Sequence, residues 1–312
     1  MLIEEELAHY RVERDTVLSI GVFDGVHQGH RHLLGRLQER ARAEGLMPGV
    51  VTFSSHPRHT LHPDSSITYL TPLEERLELL RAAGMGVVAA ISFSPELAAL
   101  EAKDFVSLLQ RHLRLRGLVI GPDFALGRGR QGDAARLEAL SRPMGFFMER
   151  VPQVTVNGDA VSSTAIRTAL NQGEVERVGR LLGRPFSLSG EVVAGAERGR
   201  SLGFPTANLS LPPLQALPAD GVYATRALLG GDPLSSVTNI GLRPTFNTGQ
   251  RTVEVFLLDF KGDLYGQRLT IELVAHLRGE KRFDSPAQLV AQMEQDVAQA
   301  RRLLAIEKAP RN

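Results

Sequence analysis

Four short apolar runs, at residues 16–22, 47–53, 87–93 and 117–121, punctuate the first half of the chain. Strands covered on both faces have this near-continuous apolar pattern. Between them, residues 30–44, 72–83 and 102–113 read as helical stretches; in the first, Leu33, Leu34 and Leu37 share one face. Strands alternating with helices predict βαβ units and a doubly wound parallel sheet. Residues 153–161 alternate about Asn157-Gly158, a hairpin signal. Two further helical stretches follow, from Ser163 to just before Gly173 and from Glu174 to Leu182.

The pattern changes after Gly183. Residues 189–194, 221–228, 252–260 and 268–277 are strand-like runs separated by Gly, Pro and Asp, the last two joined by a hairpin-like connection at 261–266. This half predicts a small β-barrel. A closing helix is expected over 285–305, with Ser285 as N-cap, Pro286 at the first position and an apolar stripe of Leu289, Val290, Met293 and Val297. The expected domains are 1–184 and 185–312.

Composition narrows the class. The 312 residues are 43% hydrophobic and 23% charged, ordinary values for a soluble globular protein. No apolar run reaches the roughly 18 residues of a membrane span, and the start of the chain is acidic, without a secretory signal. A net charge of +1 argues against a general nucleic-acid or anionic-membrane binder. Cysteine is absent, which excludes disulfides and thiolate catalysis and fits a cytoplasmic enzyme. Oligomeric state is not legible.

The richest stretch is Gly21-Val22-Phe23-Asp24-Gly25-Val26-His27-Gln28-Gly29-His30. It sits where the first strand ends and a helix begins. Gly21, Gly25 and Gly29 let the backbone approach a ligand, and a helix N-terminus suits phosphate. Imidazoles at 27 and 30 can donate to phosphate oxygens as charge builds on phosphorus. Ligands in such sheets bind at the carboxyl ends of strands, where this turn lies. Further along, Ser162-Ser163-Thr164-Ala165-Ile166-Arg167 opens a helix. Its hydroxyls are ordinary caps, but Arg167 one turn in opposes the helix dipole, a cost that an anion at the helix mouth offsets. The loop after residue 120 carries Asp123, Phe124, Arg128 and Arg130 among glycines; it suits a polyphosphate or flavin phosphate, or is a solvated surface loop. His56, His59 and His62 tempt a metal reading, yet zinc wants a fourth ligand and a rigid frame, and Pro57 and Pro63 argue for a loop.

In the second half, Arg198 to Asn208 joins a basic glycine-rich loop to a fixed turn. Thr206 and Asn208, two apart on an extended segment, share a face, and such hard oxygen ligands suit Mg²⁺ held with ATP phosphates; a polar barrel turn is the plainer reading. Period two puts Glu254 on the face of Phe256, Leu258 and Phe260. A carboxylate there is costly unless paired or used, or else it sits at a rim.

The histidine run resembles the HxGH signature of nucleotidyltransferases, and in its fuller form the adenylyltransferase module of bacterial bifunctional riboflavin kinase/FAD synthetases. Residues 162–167 match the Ser-Ser-Thr-x-x-Arg motif of the same superfamily. Gly203-Phe204-Pro205-Thr206-Ala207-Asn208 is similar to the riboflavin kinase hexapeptide, and Asn239 to Phe246, Asp263 to Gly266 and Leu277 to Glu280 also match that family. The resemblance implies a Rossmann-like nucleotidyltransferase domain followed by a kinase barrel. It implies riboflavin, FMN and ATP as substrates, Mg²⁺ as metal, and FMN then FAD as products. His27, His30 and Arg167 are then catalytic in the adenylyl step and Glu254 is the kinase base. Gly21, Phe23, Asp24, Gly25, Gly29, Asp123, Ser163, Thr164, Gly203, Phe204, Pro205, Thr206 and Asn208 bind nucleotide; Asp123, Phe124 and Arg278 touch flavin; Thr206 and Asn208 hold the metal. The chain departs from the family pattern at Ser54, Leu126 and Gly279, where Asp, Phe and Asp are usual. A kinase with a decayed adenylyltransferase domain, or a non-catalytic flavin or nucleotide regulator, are the alternatives.

Overall fold

The computed structural model describes residues 3–62, 64, 66–195, 202–230, 232–242 and 251–307, with side chains to residue 305. Arg198 to Ser201, Arg243 to Phe246 and Pro63 lie outside the described residues. The chain forms two compact units, residues 1–163 and 164–312.

In the first unit the strands are β1 (Thr16–Ile20), β2 (Met47–Phe53), β3 (Val87–Ile91), β4 (Leu115–Ile120), β5 (Ala125–Leu126), β6 (Gly132–Asp133), β7 (Phe147–Arg150), β8 (Thr155–Val156) and β9 (Asp159–Ala160). Five of them make the expected parallel sheet, in the order β3-β2-β1-β4-β7, while β5–β6 and β8–β9 are small hairpins. The helices are α1 (Ile3–Ala8), α2 (Gln28–Glu44), α3 (Pro57–Leu61), α4 (Leu73–Ala82), α5 (Pro95–Ala99), α6 (Ala102–Leu113) and α7 (Ala134–Met144). Val17, Val50 and Val119 face one way, onto Leu34 and Leu37 of α2 and Leu80 of α4. Their neighbours Leu18, Val51 and Leu118 face the other, onto Phe105 and Leu109 of α6 and Leu137 of α7. Each such leucine, fully buried, contributes roughly 2 kcal/mol of hydrophobic stabilisation. Strand order reverses across β1 and β4, which opens a crevice at their carboxyl ends.

Three local readings change. Helix α2 starts at Gln28, so His27 is its N-cap and His30 lies inside its first turn. Residues 57–61 form a short helix instead of a loop, because Pro57 is tolerated at the first position and His56 Nδ1 accepts from Arg58 N. Helix α1, unforeseen, covers the free edge of β3: Glu6 accepts from Ser92 N, and Tyr10 Oη both accepts from Ala90 N and donates to Ala90 O.

Helices α8 (Ser163–Asn171) and α9 (Val175–Leu182) lead into the second unit, where α9 packs on β10 (Phe186–Val193) and on β15 (Arg268–Arg278). With β11 (Ala207–Ser210), β12 (Gly221–Leu228), β13 (Leu234–Leu242) and β14 (Arg251–Leu257), they close a six-stranded barrel in the order β10-β11-β14-β13-β12-β15. Apolar side chains including Leu188, Ile240, Val253, Val255 and Ile271 are buried in it. So is a hydroxyl cluster, in which Thr225 Oγ1 lies 2.7 Å from Ser236 Oγ and 2.8 Å from Thr238 Oγ1. Tyr223 donates to Ala219 O at 2.6 Å, and burial pushes its pKa up to about 12.

Helix α10 (Pro286–Glu307) closes the unit with the expected face, and burial on that face deepens toward the carboxyl end. Leu289, Val290, Met293 and Val297 are only half-buried, and the buried positions are Asp296, Ala300 and Leu304. Ala300 and Leu304 pack on Ala224 and Ala275. Asp296 receives Arg278 in a forked pair, with Nε to Oδ1 at 3.0 Å and Nη2 to Oδ2 at 2.8 Å. Asp296→Ala strands the Arg278 charge, so the barrel is expected to lose about 3 kcal/mol. Asp296→Asn, which keeps an acceptor, is expected to lose less. Urea unfolding followed at the barrel checks this, and an unchanged midpoint for the alanine variant would show the pair to be inert.

Two candidate active sites

The first site is built on the turn between β1 and α2. Gly21 N still bonds to Val51 O, extending the sheet by one step. The chain then bends through positive φ at Phe23 (52°), Gly25 (85°) and Val26 (38°). Only glycine adopts such angles without cost, so a phenylalanine and a β-branched valine there mark strain held by the surrounding structure. What holds it is Asp24, which is 2% exposed and accepts Leu70 N on Oδ2 and Thr71 N on Oδ1, both at 3.1 Å. Its carbonyl accepts Ser163 Oγ at 2.9 Å across 139 residues of sequence. The histidine turn and the start of the Ser-Ser-Thr motif are thereby joined. Thr164 and Arg167 follow Ser163 on α8.

His27 caps α2 by accepting His30 N on Nδ1 at 3.2 Å, which leaves its proton on Nε2. The His27 and His30 rings stack, with centroids 3.6 Å apart and planes 13° from parallel, and Phe23 meets His30 edge-on at 5.2 Å. A Cβ at Gly29 would come within 3.2 Å of the His27 ring, so glycine there permits the stack. Loss of hydration around its ring pushes the His30 pKa well below the usual histidine value, and the charges of His27 and Arg76 push the same way. A neutral His30 is a hydrogen-bond donor with no charge to desolvate, suited to an anionic centre that gains charge during reaction.

Past β4, Asp123 is exposed and its carbonyl accepts Arg130 Nη2 at 2.8 Å. Phe124 packs against the sheet core, and Leu126 is itself buried in it, so leucine in place of the family's phenylalanine serves packing. His59 lies near Tyr69, with centroids 5.7 Å apart, and Tyr69 Oη accepts His56 N. Among the described residues no cluster of three His, Cys, Asp or Glu suits a metal ion. Nothing in the sequence marks Arg76, which sits among Glu74, Glu75 and Glu78 and reads as solvated; it is 1% exposed.

The second site lies on the barrel. Glu254 of β14 stands opposite Asn208 of β11 and Asn239 of β13, so three polar side chains form a row on one face. Glu254 and Phe256 are half-buried on this face, while Val253, Val255 and Leu257 are buried on the other. Phe204 packs on Phe256 at 5.2 Å, and Gly203 turns the chain just before it at φ 85°. Pro205 and Thr206 line a cavity of about 570 Å³ with Lys261, Asp263 and Tyr265. Asn208, 7% exposed, lines a separate cavity of about 540 Å³ with Arg251 and Thr252. Thr206 and Asn208 are thus brought to neighbouring cavities, on either side of Ala207. Arg278, expected against flavin, is held by Asp296 and lies 5.8 Å from the Phe283 ring.

Comparison with known proteins matches both halves of the chain. Residues 9–165 match the FAD synthetase family and residues 182–304 the riboflavin kinase family. A bifunctional riboflavin kinase/FMN adenylyltransferase of Escherichia coli (strain K12) is 42% identical over 298 residues, 95% of each chain. One of Bacillus subtilis (strain 168) is 36% identical over 304 residues, 96% of this chain and 94% of that one. A crystal structure from Streptococcus pneumoniae, described as a macrolide-efflux protein, superposes with a TM-score of 0.88 at 31% identity, over 95% of this chain and 96% of that one. Among the described residues no helix is long and apolar enough to cross a membrane.

Proposed function

The chain belongs to the bifunctional riboflavin kinase/FMN adenylyltransferase family, and we propose on that premise that its two sites act in turn on one flavin. It phosphorylates riboflavin with ATP to give FMN, then joins FMN to AMP from a second ATP, giving FAD and pyrophosphate. The observation that carries this reading is that both motif pairs close up in one chain: the histidine turn, through the Asp24 carbonyl, with Ser163, and Asn208 with Glu254.

In the adenylyl step a phosphate oxygen of FMN attacks the α-phosphorus and pyrophosphate leaves. Nε2–H groups of His27 and His30 donate to α-phosphoryl oxygens, where charge grows in the transition state. Gly21, Phe23, Asp24, Gly25 and Gly29 shape the turn around the nucleotide. Ser163, Thr164 and Arg167 hold the departing phosphates, and Asp123 and Phe124 bound the FMN subsite. In the kinase step Glu254 takes the proton of the riboflavin 5′-hydroxyl as the hydroxyl oxygen attacks the γ-phosphorus; the bond from that phosphorus to the bridging oxygen breaks and ADP leaves. Gly203, Phe204 and Pro205 shape the nucleotide turn, and Arg278 borders the flavin. Thr206 and Asn208 offer hard oxygen donors of the kind Mg²⁺ accepts alongside ATP phosphates. Mg²⁺ bound there would spread the charge of the phosphates. We assign residues 1–184 to the adenylyltransferase and 185–312 to the kinase, although α8 and α9 pack as part of the second compact unit, and we place the enzyme in the cytoplasm.

Pure protein given riboflavin, ATP and Mg²⁺ is expected to yield FMN and then FAD on chromatography. FMN without FAD would overturn the two-step reading.

A further inference from the structure

Arg76 is a buried cation that the proposed chemistry leaves unused. It projects from α4 and donates from Nη2 to Phe53 O at 2.7 Å, at the carboxyl end of β2. Its Nε and Nη1 are buried and have no partner among the described residues. The Tyr69 ring centroid is 6.0 Å away, and the charges of Asp24, Tyr69 and Glu74 act on it. A guanidinium in the interior is costly while any of its N–H groups lacks an acceptor. Asp24 does not meet that need directly: its two carboxylate oxygens take Leu70 N and Thr71 N.

Two other buried atoms on this side of the sheet lack a partner, His30 Nδ1 and Ser19 Oγ. Ser19 alternates with Leu18 and Ile20 and so shares the face of Val17, the one covered by α2 and α4. His30 is in the first turn of α2, and Arg76 is on α4. The inventory is complementary. Arginine has donors only, a hydroxyl gives and accepts, and a neutral imidazole accepts on whichever nitrogen lacks the proton. With its proton on Nδ1, His30 would present a donor toward donors.

We infer that Arg76 is a positioning residue for His30: through one buried water shared with Ser19, its N–H groups hold His30 Nδ1 as an acceptor and so keep the proton on Nε2. His30 then offers Nε2–H to the α-phosphoryl oxygen, a step that rests on the role proposed for His30 above. His27 reaches the same tautomer by another route, through the backbone N–H that it caps. The titratable groups that bear on His30 are His27 from the turn and Arg76 from α4, with Asp24 beside Arg76. Both neighbours of His30 oppose a second positive charge, so the neutral form persists below the ordinary histidine value.

The test is two-bond ¹H–¹⁵N correlation spectroscopy of histidine-labelled protein, with His30→Asn used to assign the signal. In the wild type His30 is expected as the pure Nε2–H tautomer, still neutral at pH 6. In Arg76→Met it is expected as a mixture of the two neutral tautomers, because burial of the ring, the leading cause of its lowered pKa, is unchanged. Adenylyl transfer by that variant is expected to fall roughly 10- to 10²-fold in kcat, less than for outright loss of a donor. KM for FMN is expected to stay within about twofold. Arg76→Lys keeps a charge and donors and is expected to retain the tautomer. Either of two results overturns the inference: a wild-type His30 protonated on Nδ1, or an Arg76→Met His30 with unchanged tautomer. If Arg76→Met does not fold, the other two spectra decide: an Nε2–H signal in both the wild type and Arg76→Lys supports the inference, and an Nδ1–H signal at His30 in the wild type overturns it. Native adenylyl transfer in His30→Asn would instead remove the phosphate-donor role and leave the tautomer result standing.

Discussion

His30→Asn is expected to lose FAD-forming turnover by a factor on the order of 10² or more, with FMN formation unchanged. Asparagine keeps a polar group of comparable size at the first turn of α2, so the N-terminal sheet, whose core lies in the apolar residues on either side of β1, should remain intact. What is lost is a neutral donor at the carboxyl end of β1, stacked on His27 at 3.6 Å. Such a donor acts on charge that develops in the transition state, so the loss should appear in kcat more than in KM for ATP. The kinase residues belong to the other compact unit, so FMN production from riboflavin serves as an internal control. The measurement is a time course with riboflavin, then with FMN, each resolved by chromatography. Native FAD output from the variant would remove His30 from the mechanism.

Glu254→Gln should produce the opposite asymmetry. Glutamine keeps size and most hydrogen bonding in the row with Asn208 and Asn239 but has no basicity. Phosphoryl transfer depends mainly on positioning and on charge around the phosphates, so substrates should still bind. FMN formation is expected to fall roughly 10²- to 10⁴-fold, the span of a general base. Supplied FMN should still become FAD at the native rate. If Glu254 were only a rim residue, the glutamine variant would keep its kinase turnover, and a folded protein with native turnover would exclude it as the base.

Together the two variants separate the family's two activities within one chain. A non-catalytic regulator would show neither asymmetry, and a kinase with a decayed first domain would lose FMN formation in Glu254→Gln but make no FAD from any variant.

The sequence by itself determined the fold class and the motifs. Four strands of the parallel sheet are legible because burial on both faces demands unbroken apolar runs, and the turn glycines and histidines are local features of the backbone. Where burial is incomplete or polar, the signal fails. Edge strand β7 carries Glu149 and Arg150 and is at most half-buried, so it has no apolar run to read. Strand β13 hides because Ser236 and Thr238 fill barrel-interior positions, satisfied there by Thr225. Helix α10 shows an apolar stripe, yet its most buried positions include Asp296, whose burial is tolerable only because Arg278 arrives from β15. Only the tertiary structure decided that Ser163 bonds to Asp24, that Asn208 and Asn239 flank Glu254, and that among the charges of α4 it is Arg76 that lies inside. The physical reason is common to all of them. Periodicity reports which side chains avoid water, whereas the cost of burying a polar group depends on a partner that stands far off in the sequence, and only the folded chain supplies it.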